Sequence, residues 1–169
     1  MVASPSQLQR LTDPADAAVQ QVSEVIAGRV RTVLSSAEPL PSSLRAQVAD
    51  VWDCEVFDHY GLTESGYGGG VECSAHDGYH WREADLWLEI VDPISGQPVP
   101  DGEMGEVVIT TLRRQAMPLI RYRTGDAARI LPGPCACGSP LRRLGTVSGR
   151  LLPGADGLPR IMNPPKAGR

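Results

Sequence analysis

The first third of the chain alternates between helical and extended hydrophobic patterns. Apolar residues recur at helical spacing behind Asp13-Pro14, a residue pair typical of a helix start. Residues 30–34 and 54–58 are short apolar runs that predict strands. Between them, an apolar stripe along residues 41–52 predicts a second helix. This helix–strand–helix–strand order is typical of a parallel α/β sheet.

The hydrophobic pattern changes to period two after residue 70. The runs VECSA and YHWRE flank His76-Asp77-Gly78, which predicts a β-hairpin. The segments DLWLEIVD, GEVVITTL, PLIRYR and AARIL are rich in β-branched residues and predict further strands. The second half is therefore expected to be an antiparallel β unit.

Together these patterns predict an α/β fold in three segments. Residues 1–65 would form a partial parallel α/β sheet. Residues 66–150 would form an antiparallel, barrel-like β subdomain. Residues 151–169 have frequent turn residues and no hydrophobic period, so we expect a poorly ordered tail.

Composition narrows the class of protein. A chain of 169 residues with 41% hydrophobic residues and a mean hydropathy of −0.17 can bury a core as one domain or two small subdomains. The net charge of −4 gives no reason to expect a nucleic-acid partner. The sequence contains neither the long apolar run of a membrane helix nor a signal-peptide core, so we expect no membrane partner and a cytoplasmic location.

The glycine-rich segment GYGGG at residues 66–70 raises the question of a phosphate-binding loop. Such a loop usually opens a helix and commonly includes a lysine. Here a predicted strand follows, and the single lysine of the chain is the distant Lys166. The segment is therefore interpreted as a flexible entry to the hairpin.

Three cysteines and one histidine have the composition of a closed zinc site. Cys73 and His80 flank the predicted hairpin turn. Depending on where the turn is centred, they are directly opposite or diagonal to each other, and in both cases their side chains lie on the same face of the hairpin. Cys135 and Cys137 lie in the tight loop GPCACGS. The alternative is that these are buried or idle thiols. The remaining candidates are weaker: Cys54 is expected in the core, and two loop histidines are reserve ligands, namely His59 and His76.

Four motifs in order carry a resemblance to a known family. They are VLSSAEPL at 33–40, HYGLTE at 59–64, GEVVITTL at 105–112 and PLIRYRTGD at 118–126. Their order and spacing resemble the adenylate-forming acyl-CoA synthetase superfamily, in the branch of phenylacetate–CoA ligase and coenzyme F390 synthetase. The resemblance implies that a carboxylic acid attacks the α-phosphate of ATP, that pyrophosphate leaves, and that a CoA-type thiol captures the acyl-adenylate.

The resemblance also implies that residues 1–65 are a nucleotide-binding segment, and it implies roles for single residues. Thr63 would meet the α-phosphate, Glu64 would hold Mg²⁺, and Asp126 would accept hydrogen bonds from the ribose hydroxyls. The other positions that the resemblance assigns to nucleotide binding are Ala37, Glu38 and Pro39 beside adenine, Tyr60 against the base with Gly61 and Leu62 after it, and Arg150 near the ribose and the interdomain hinge.

Each of these residues has a simpler reading when it is taken alone. Glu64 would be an exposed turn acid, Tyr60 a core aromatic residue, and Asp126 a turn former after a glycine. Only the ordered set of motifs favours the nucleotide roles.

Several parts of the family pattern are missing from the sequence. Residues 1–32 contain one glycine and no Ser/Thr/Gly-rich phosphate loop, and Lys166 in PPKAGR does not match the setting of the family's catalytic lysine. The expectation is a fragment of the large N-terminal domain that cannot form an adenylate alone and whose open sheet edges favour self-association. The alternatives are a non-catalytic, zinc-stabilised AMP- or ATP-binding or interaction module, and an unrelated β-rich metal-binding domain.

Overall fold

The computed structural model describes residues 1–66 and 68–162. The chain divides into two compact units, an N-terminal unit of Met1–Tyr60 and a C-terminal unit that begins at Gly61. The division falls five residues before the boundary expected at residue 65. Within the described ranges, no helix has the length and apolar character needed to cross a bilayer.

The N-terminal unit is a small parallel sheet covered by helices. Strand β2 is central and pairs in parallel with both neighbours, with Val2 opposite Leu34 and Val33 opposite Val56. Trp52 and Val33 are fully buried between the sheet and the helices. The elements are β1 (Val2–Ala3), α1 (Pro5–Leu11), α2 (Ala17–Ile26), β2 (Thr32–Ser35), α3 (Ser42–Trp52) and β3 (Glu55–Tyr60).

Helix α2 begins later than its sequence pattern predicted. The carboxylate of Asp16 accepts hydrogen bonds from the backbone N–H groups of Ala18 and Val19, which makes Asp16 the N-cap. Asp13 instead accepts a hydrogen bond from the N–H of Ala15 and stabilises the preceding turn. Either aspartate suits a cap, and the structure selects the one directly before the apolar helix.

The C-terminal unit consists of two open antiparallel sheets. One sheet has the order β4-β5-β10-β9 and the other β12-β11-β8-β7-β6. The strands are β4 (Gly70–Val71), β5 (Tyr79–Trp81), β6 (Leu86–Val91), β7 (Gly105–Thr111), β8 (Tyr122–Ala128), β9 (Ile130–Leu131), β10 (Arg143–Leu144), β11 (Gly149–Pro153) and β12 (Pro159–Met162). The mixed α/β class is confirmed, but the described strands form no closed barrel.

Close backbone packing fixes the position of β7. A Cβ atom at Gly105 would lie 2.4 Å from the carbonyl oxygen of Val91, so this position tolerates only glycine. The buried carboxylate of Glu106 pairs with the guanidinium of Arg123 on β8. The β7–β8 register shifts between Glu106 and Val108, where Gly125 on β8 has a φ of 76°. On β8 this irregularity lies at the end of the motif PLIRYRTGD, residues 118–126.

The segment expected to be a poorly ordered tail contains a β-hairpin as far as the structure describes it. Strand β11 pairs with β12 from Arg150 opposite Met162 to Pro153 opposite Pro159. Asp156 accepts a hydrogen bond from the N–H of Leu158 and forms an ion pair with Arg160. The turn residues that suggested disorder instead close this hairpin, which corrects the expectation for residues 151–162. Residues 163–169 lie outside the described part of the chain.

Candidate functional site

A short 3₁₀ turn, Thr63–Ser65, carries the two residues assigned to phosphate and magnesium. The buried hydroxyl of Ser65 donates a hydrogen bond to the carbonyl of Leu62, and it accepts one from the Leu62 N–H at 3.1 Å. These two hydrogen bonds hold the buried Ser65 in place, whereas Thr63 and Glu64 are exposed. The turn therefore presents a hydroxyl and a carboxylate to a ligand.

Glu64 lies beside strand β8 of the same unit. The hydroxyl of Tyr122, the first residue of β8, donates a hydrogen bond to Glu64 Oε1 at 3.3 Å. Four residues along β8, the buried Asp126 pairs with Arg150 on β11, and Arg150 Nε lies 3.2 Å from Asp126 Oδ1. The Arg150 guanidinium also donates to the carbonyl of Thr124 at 2.6 Å. Strand pairing explains the contact, because Arg150 is directly opposite Asp126.

Electrostatic effects on Tyr122 show that these side chains form one cluster. Burial raises the pKa of the Tyr122 phenol, and the neighbouring Glu64 carboxylate raises it further. Arg150 opposes this shift in the pKa, whereas the Asp126 carboxylate adds to it. The phenol is thus within electrostatic reach of both acids and of the arginine. The charges of Glu64 and Asp126, which the sequence separates by 62 positions, thus both act on the Tyr122 phenol.

Four of the remaining predicted nucleotide contacts lie in the N-terminal unit, and the other two, Gly61 and Leu62, are the first residues of the C-terminal unit. Ala37 has a φ of 77°, an uncommon conformation for a residue with a Cβ atom and one that is often found at functional sites. The Glu38 carboxylate accepts hydrogen bonds from the backbone N–H and the hydroxyl of Ser6, at 3.2 and 2.5 Å. Pro39 follows in the same exposed loop, and Tyr60 is the half-buried last residue of β3.

Cys73, His80, Cys135 and Cys137 form a compact cluster in the C-terminal unit. Their ligand atoms all lie within 4.8 Å of one another. The sulfur atoms of Cys73 and Cys135 are 3.6 Å apart, and Cys137 Sγ is 3.3 Å from His80 Nε2. Tetrahedral zinc with ordinary bond lengths would place two sulfur ligands about 3.8 Å apart. The donor set and its spacing therefore fit zinc.

The hairpin register explains how two of these ligands reach each other. Val71 is opposite His80, so Cys73 lies two residues beyond that pair, in the diagonal position. The long connection after β9 brings Cys135 and Cys137 to the same place, and β10 anchors it because Arg143 pairs with His80 in the sheet.

Backbone hydrogen bonds act on the pKa values of two of the thiols. The pKa of the Cys135 thiol is lowered to about 6, first by the hydrogen bond from the Cys137 backbone N–H and then by its thiol and imidazole neighbours. Burial raises the pKa of Cys73, and a hydrogen bond from the Ala75 N–H counteracts part of that effect. His80 Nδ1 is buried and has no hydrogen-bond partner among the described residues, unlike most zinc-bound imidazoles.

The other cysteine and the two reserve histidines have different environments. Cys54 lies against the core of the N-terminal unit, and burial followed by the charge of Asp53 raises its pKa. His59 Nδ1 is hydrogen-bonded to the Ser36 hydroxyl at 2.8 Å. His76 Nδ1 is 3.3 Å from the Glu72 carboxylate. None of the three belongs to the metal-ligand cluster found among the described residues.

Tyr122, the partner of Glu64, could not be selected from the sequence alone. It stands in the same motif as Asp126, four positions earlier, but its partner Glu64 is 58 positions away. A tyrosine at a strand start is common in sheet packing, so only the folded structure identifies its hydrogen bond.

The chain is similar to known proteins over about two-thirds of its length. A family model for AMP-binding enzymes matches residues 1–115. The phenylacetate–coenzyme A ligase of Pseudomonas putida is 39% identical over 124 residues, which are 72% of this chain and 28% of that protein. That of Thermus thermophilus is 40% identical over 116 residues, which are 68% of this chain and 26% of that protein. The chain thus spans little more than a quarter of these relatives.

Solved structures share the fold. A 2-hydroxyisobutyryl-CoA ligase in the postadenylation state aligns with a TM-score of 0.76 and 22% identity, over 95% of this chain and 35% of that one. An ATP-bound MatB from Rhodopseudomonas palustris aligns with a TM-score of 0.59 and 17% identity, over 95% of this chain and 33% of that one. At such identities the likeness concerns the fold alone.

Proposed function

Because the chain belongs to the family of AMP-binding enzymes, we propose that it supplies part of the nucleotide site of an ATP-dependent acid–thiol ligase. Membership of the family confirms the resemblance indicated by the four sequence motifs. The proposed reaction activates a carboxylic acid as an acyl-adenylate, which a CoA-type thiol then captures. A cytoplasmic location and self-association stay predictions from the sequence.

The observation that carries the proposal is the cluster of Glu64, Tyr122, Asp126 and Arg150. Glu64 is exposed and accepts a hydrogen bond from a neutral phenol, so an oxygen of its carboxylate is available to a cation. Mg²⁺ in nucleotide sites takes one or two carboxylates together with phosphate oxygens and water. Glu64 therefore suits a magnesium ion that is shared with a nucleotide phosphate, and the adjacent Thr63 hydroxyl suits the α-phosphate.

Asp126 suits the ribose in this proposal. An ionised carboxylate accepts hydrogen bonds from two vicinal hydroxyl groups, and it binds them more strongly than a neutral acceptor does. Arg150 pairs with one side of the Asp126 carboxylate and fixes its orientation. The Arg150 side chain is itself two-thirds exposed, so it remains accessible to a ligand beside Asp126. Ala37, Glu38, Pro39, Tyr60, Gly61 and Leu62 keep their proposed roles at the adenine base.

The 169-residue chain by itself is proposed to bind nucleotide without forming an adenylate. Charge that develops on the α-phosphate must be met by preorganised cations and hydrogen-bond donors. The sequence contains no Ser/Thr/Gly-rich phosphate loop, and its single lysine is Lys166. The family's chemistry would then need segments that are not in this sequence.

The experiment is competition binding with a fluorescent AMP analogue in the presence of Mg²⁺. Unlabelled AMP and ATP should displace the analogue, and GMP should displace it less well. A parallel assay of acid-dependent ATP–pyrophosphate exchange should give no signal. Failure of AMP to bind at millimolar concentration would reject the nucleotide site, and detectable exchange would reject the claim that the chain is inactive alone.

A structural zinc site is a second proposal, and the four-ligand cluster favours it. Cys73, His80, Cys135 and Cys137 would hold the ion, which would supply binding free energy to the fold rather than catalysis. Four protein ligands leave no open coordination position for a substrate. The ion would join the hairpin of β4 and β5 to the loop after β9. The chain would then be a zinc-stabilised nucleotide-binding module.

A further inference from the structure

Two arginine side chains flank the turn that carries Thr63 and Glu64. Arg82 donates a hydrogen bond to the carbonyl of Ser65 at 3.2 Å. On the next residue, Gly66, a Cβ atom would come within 2.9 Å of Arg114 Nη2, so the Arg114 guanidinium packs directly against the backbone of the turn. Gly66 permits this contact because it has no side chain and adopts a φ of 77°, which favours glycine.

The two arginines differ in their partners. Arg82 lies 3.2 Å from the Asp85 carboxylate. Arg114 has no hydrogen bond and no ion pair with any residue in the described ranges 1–66 and 68–162. It is nevertheless half-buried, whereas its neighbour Arg113 is exposed. A cation that is partly removed from water without a counter-ion is costly, and an anionic ligand would remove that cost.

The position of Arg114 indicates which anion it would meet. The N–H of Gly66 donates a hydrogen bond to the carbonyl of Thr63 at 3.1 Å, so the backbone against which the guanidinium packs is joined directly to the residue whose hydroxyl is proposed to meet the α-phosphate. The fork of an arginine matches the oxygen atoms of a phosphate group and binds them through two hydrogen bonds.

We propose that Arg114 is a binding residue for the pyrophosphate portion of ATP, beyond the α-phosphate. Arg82 would hold the Ser65 carbonyl and so keep the turn in place. This inference rests on the proposed function, because the orientation of the bound ATP follows from the proposed positions of the α-phosphate at Thr63 and of Mg²⁺ at Glu64. It adds a cationic contact for the leaving group from the loop between β7 and β8.

The test compares Arg114→Gln with the matched control Arg113→Gln. Dissociation constants for AMP, ATP and inorganic pyrophosphate are measured by calorimetry with Mg²⁺ present. Arg114→Gln should weaken ATP and pyrophosphate binding by about tenfold, the size of one lost charge-assisted hydrogen bond, and should change AMP binding less than about twofold. Arg114→Lys should recover part of the loss. Arg113→Gln should behave like the unmodified chain.

Two results would overturn the inference about Arg114 in a chain that binds AMP. One is an equal loss of affinity for AMP and ATP in Arg114→Gln, and the other is the same loss of ATP affinity in Arg113→Gln. If the unmodified chain binds neither AMP nor ATP, the proposed nucleotide site is rejected. Binding of pyrophosphate then decides by itself whether Arg114 belongs to an anion site. Pyrophosphate binding that Arg114→Gln abolishes would still support an anion site, and absence of pyrophosphate binding would reject it.

Discussion

The hydroxyl of Tyr122 donates a hydrogen bond to Glu64 Oε1 at 3.3 Å, and so connects a turn after β3 to the start of β8. Asp126 and Arg150 are near enough to influence the same phenol electrostatically. Carboxylates from two motifs far apart in the sequence therefore both act on Tyr122 in the C-terminal unit.

The first prediction concerns the ionisation of Tyr122. Its pKa is raised by burial and then by the negative charge of Glu64. Replacing that carboxylate with a neutral amide, Glu64→Gln, should lower the Tyr122 pKa toward the ordinary tyrosine value, although burial should keep it above that value. The pKa is read from the Tyr122 ring signals in an NMR titration at alkaline pH. The control Glu103→Gln, an exposed loop acid, should leave the Tyr122 pKa unchanged. An unaltered pKa in Glu64→Gln would mean that the two groups do not interact in solution.

The second prediction concerns the ribose. Asp126→Asn should weaken AMP binding about tenfold, because the amide is uncharged and can accept through only one oxygen atom. The same substitution should barely affect binding of 2′,3′-dideoxy-AMP, which lacks the two hydroxyl groups. Calorimetry with both ligands measures the difference.

The matched control is Asp101→Asn, which removes another aspartate that pairs with an arginine, Arg142, at 3.2 Å. It should leave both affinities unchanged. A loss of AMP affinity that is just as large for the dideoxy ligand would show that Asp126 supports the fold of the site and does not bind the hydroxyls.

The third prediction concerns metal content. Elemental analysis of the purified chain should find about one zinc ion per chain, and a chelator should lower the thermal midpoint of unfolding. Cys135→Ser should lose the ion and much of that stability, because one of four ligands is removed. Cys54→Ser, a change outside the cluster, should retain the ion. A metal-free chain that is equally stable with and without chelator would contradict the zinc site.

Much of the fold could be read from local patterns in the sequence. The parallel strand–helix segment and the antiparallel second half both follow from hydrophobic periodicity, and the structure confirms them. The exact start of α2 could not be predicted from the sequence, because Asp13 and Asp16 are both good N-caps and only packing distinguishes them. The hairpin of β11 and β12 was missed because its strands are largely exposed and carry little hydrophobic period.

The candidate sites, like the fold, could be predicted from the sequence only in part. The four residues of the Cys/His cluster could be selected from the sequence, and the register of the hairpin between Cys73 and His80 could be narrowed to two possibilities. The hydrogen bond to Glu64 and the packing of Arg114 against Gly66 could not be predicted, because both depend on how loops from distant strands meet. Side-chain contacts across long sequence separations leave no periodic signal in a single sequence.

The most direct test of the central claim is to map AMP binding onto the backbone amides by NMR. Isotope-labelled chain is titrated with AMP and Mg²⁺, and the chemical-shift changes are followed residue by residue. The nucleotide site predicts saturable changes that are largest at Thr63, Glu64, Tyr122 and Asp126, and small changes around Cys73 and Cys137. Saturable binding whose largest changes lie away from the first four residues, or no binding at millimolar AMP, would contradict the account.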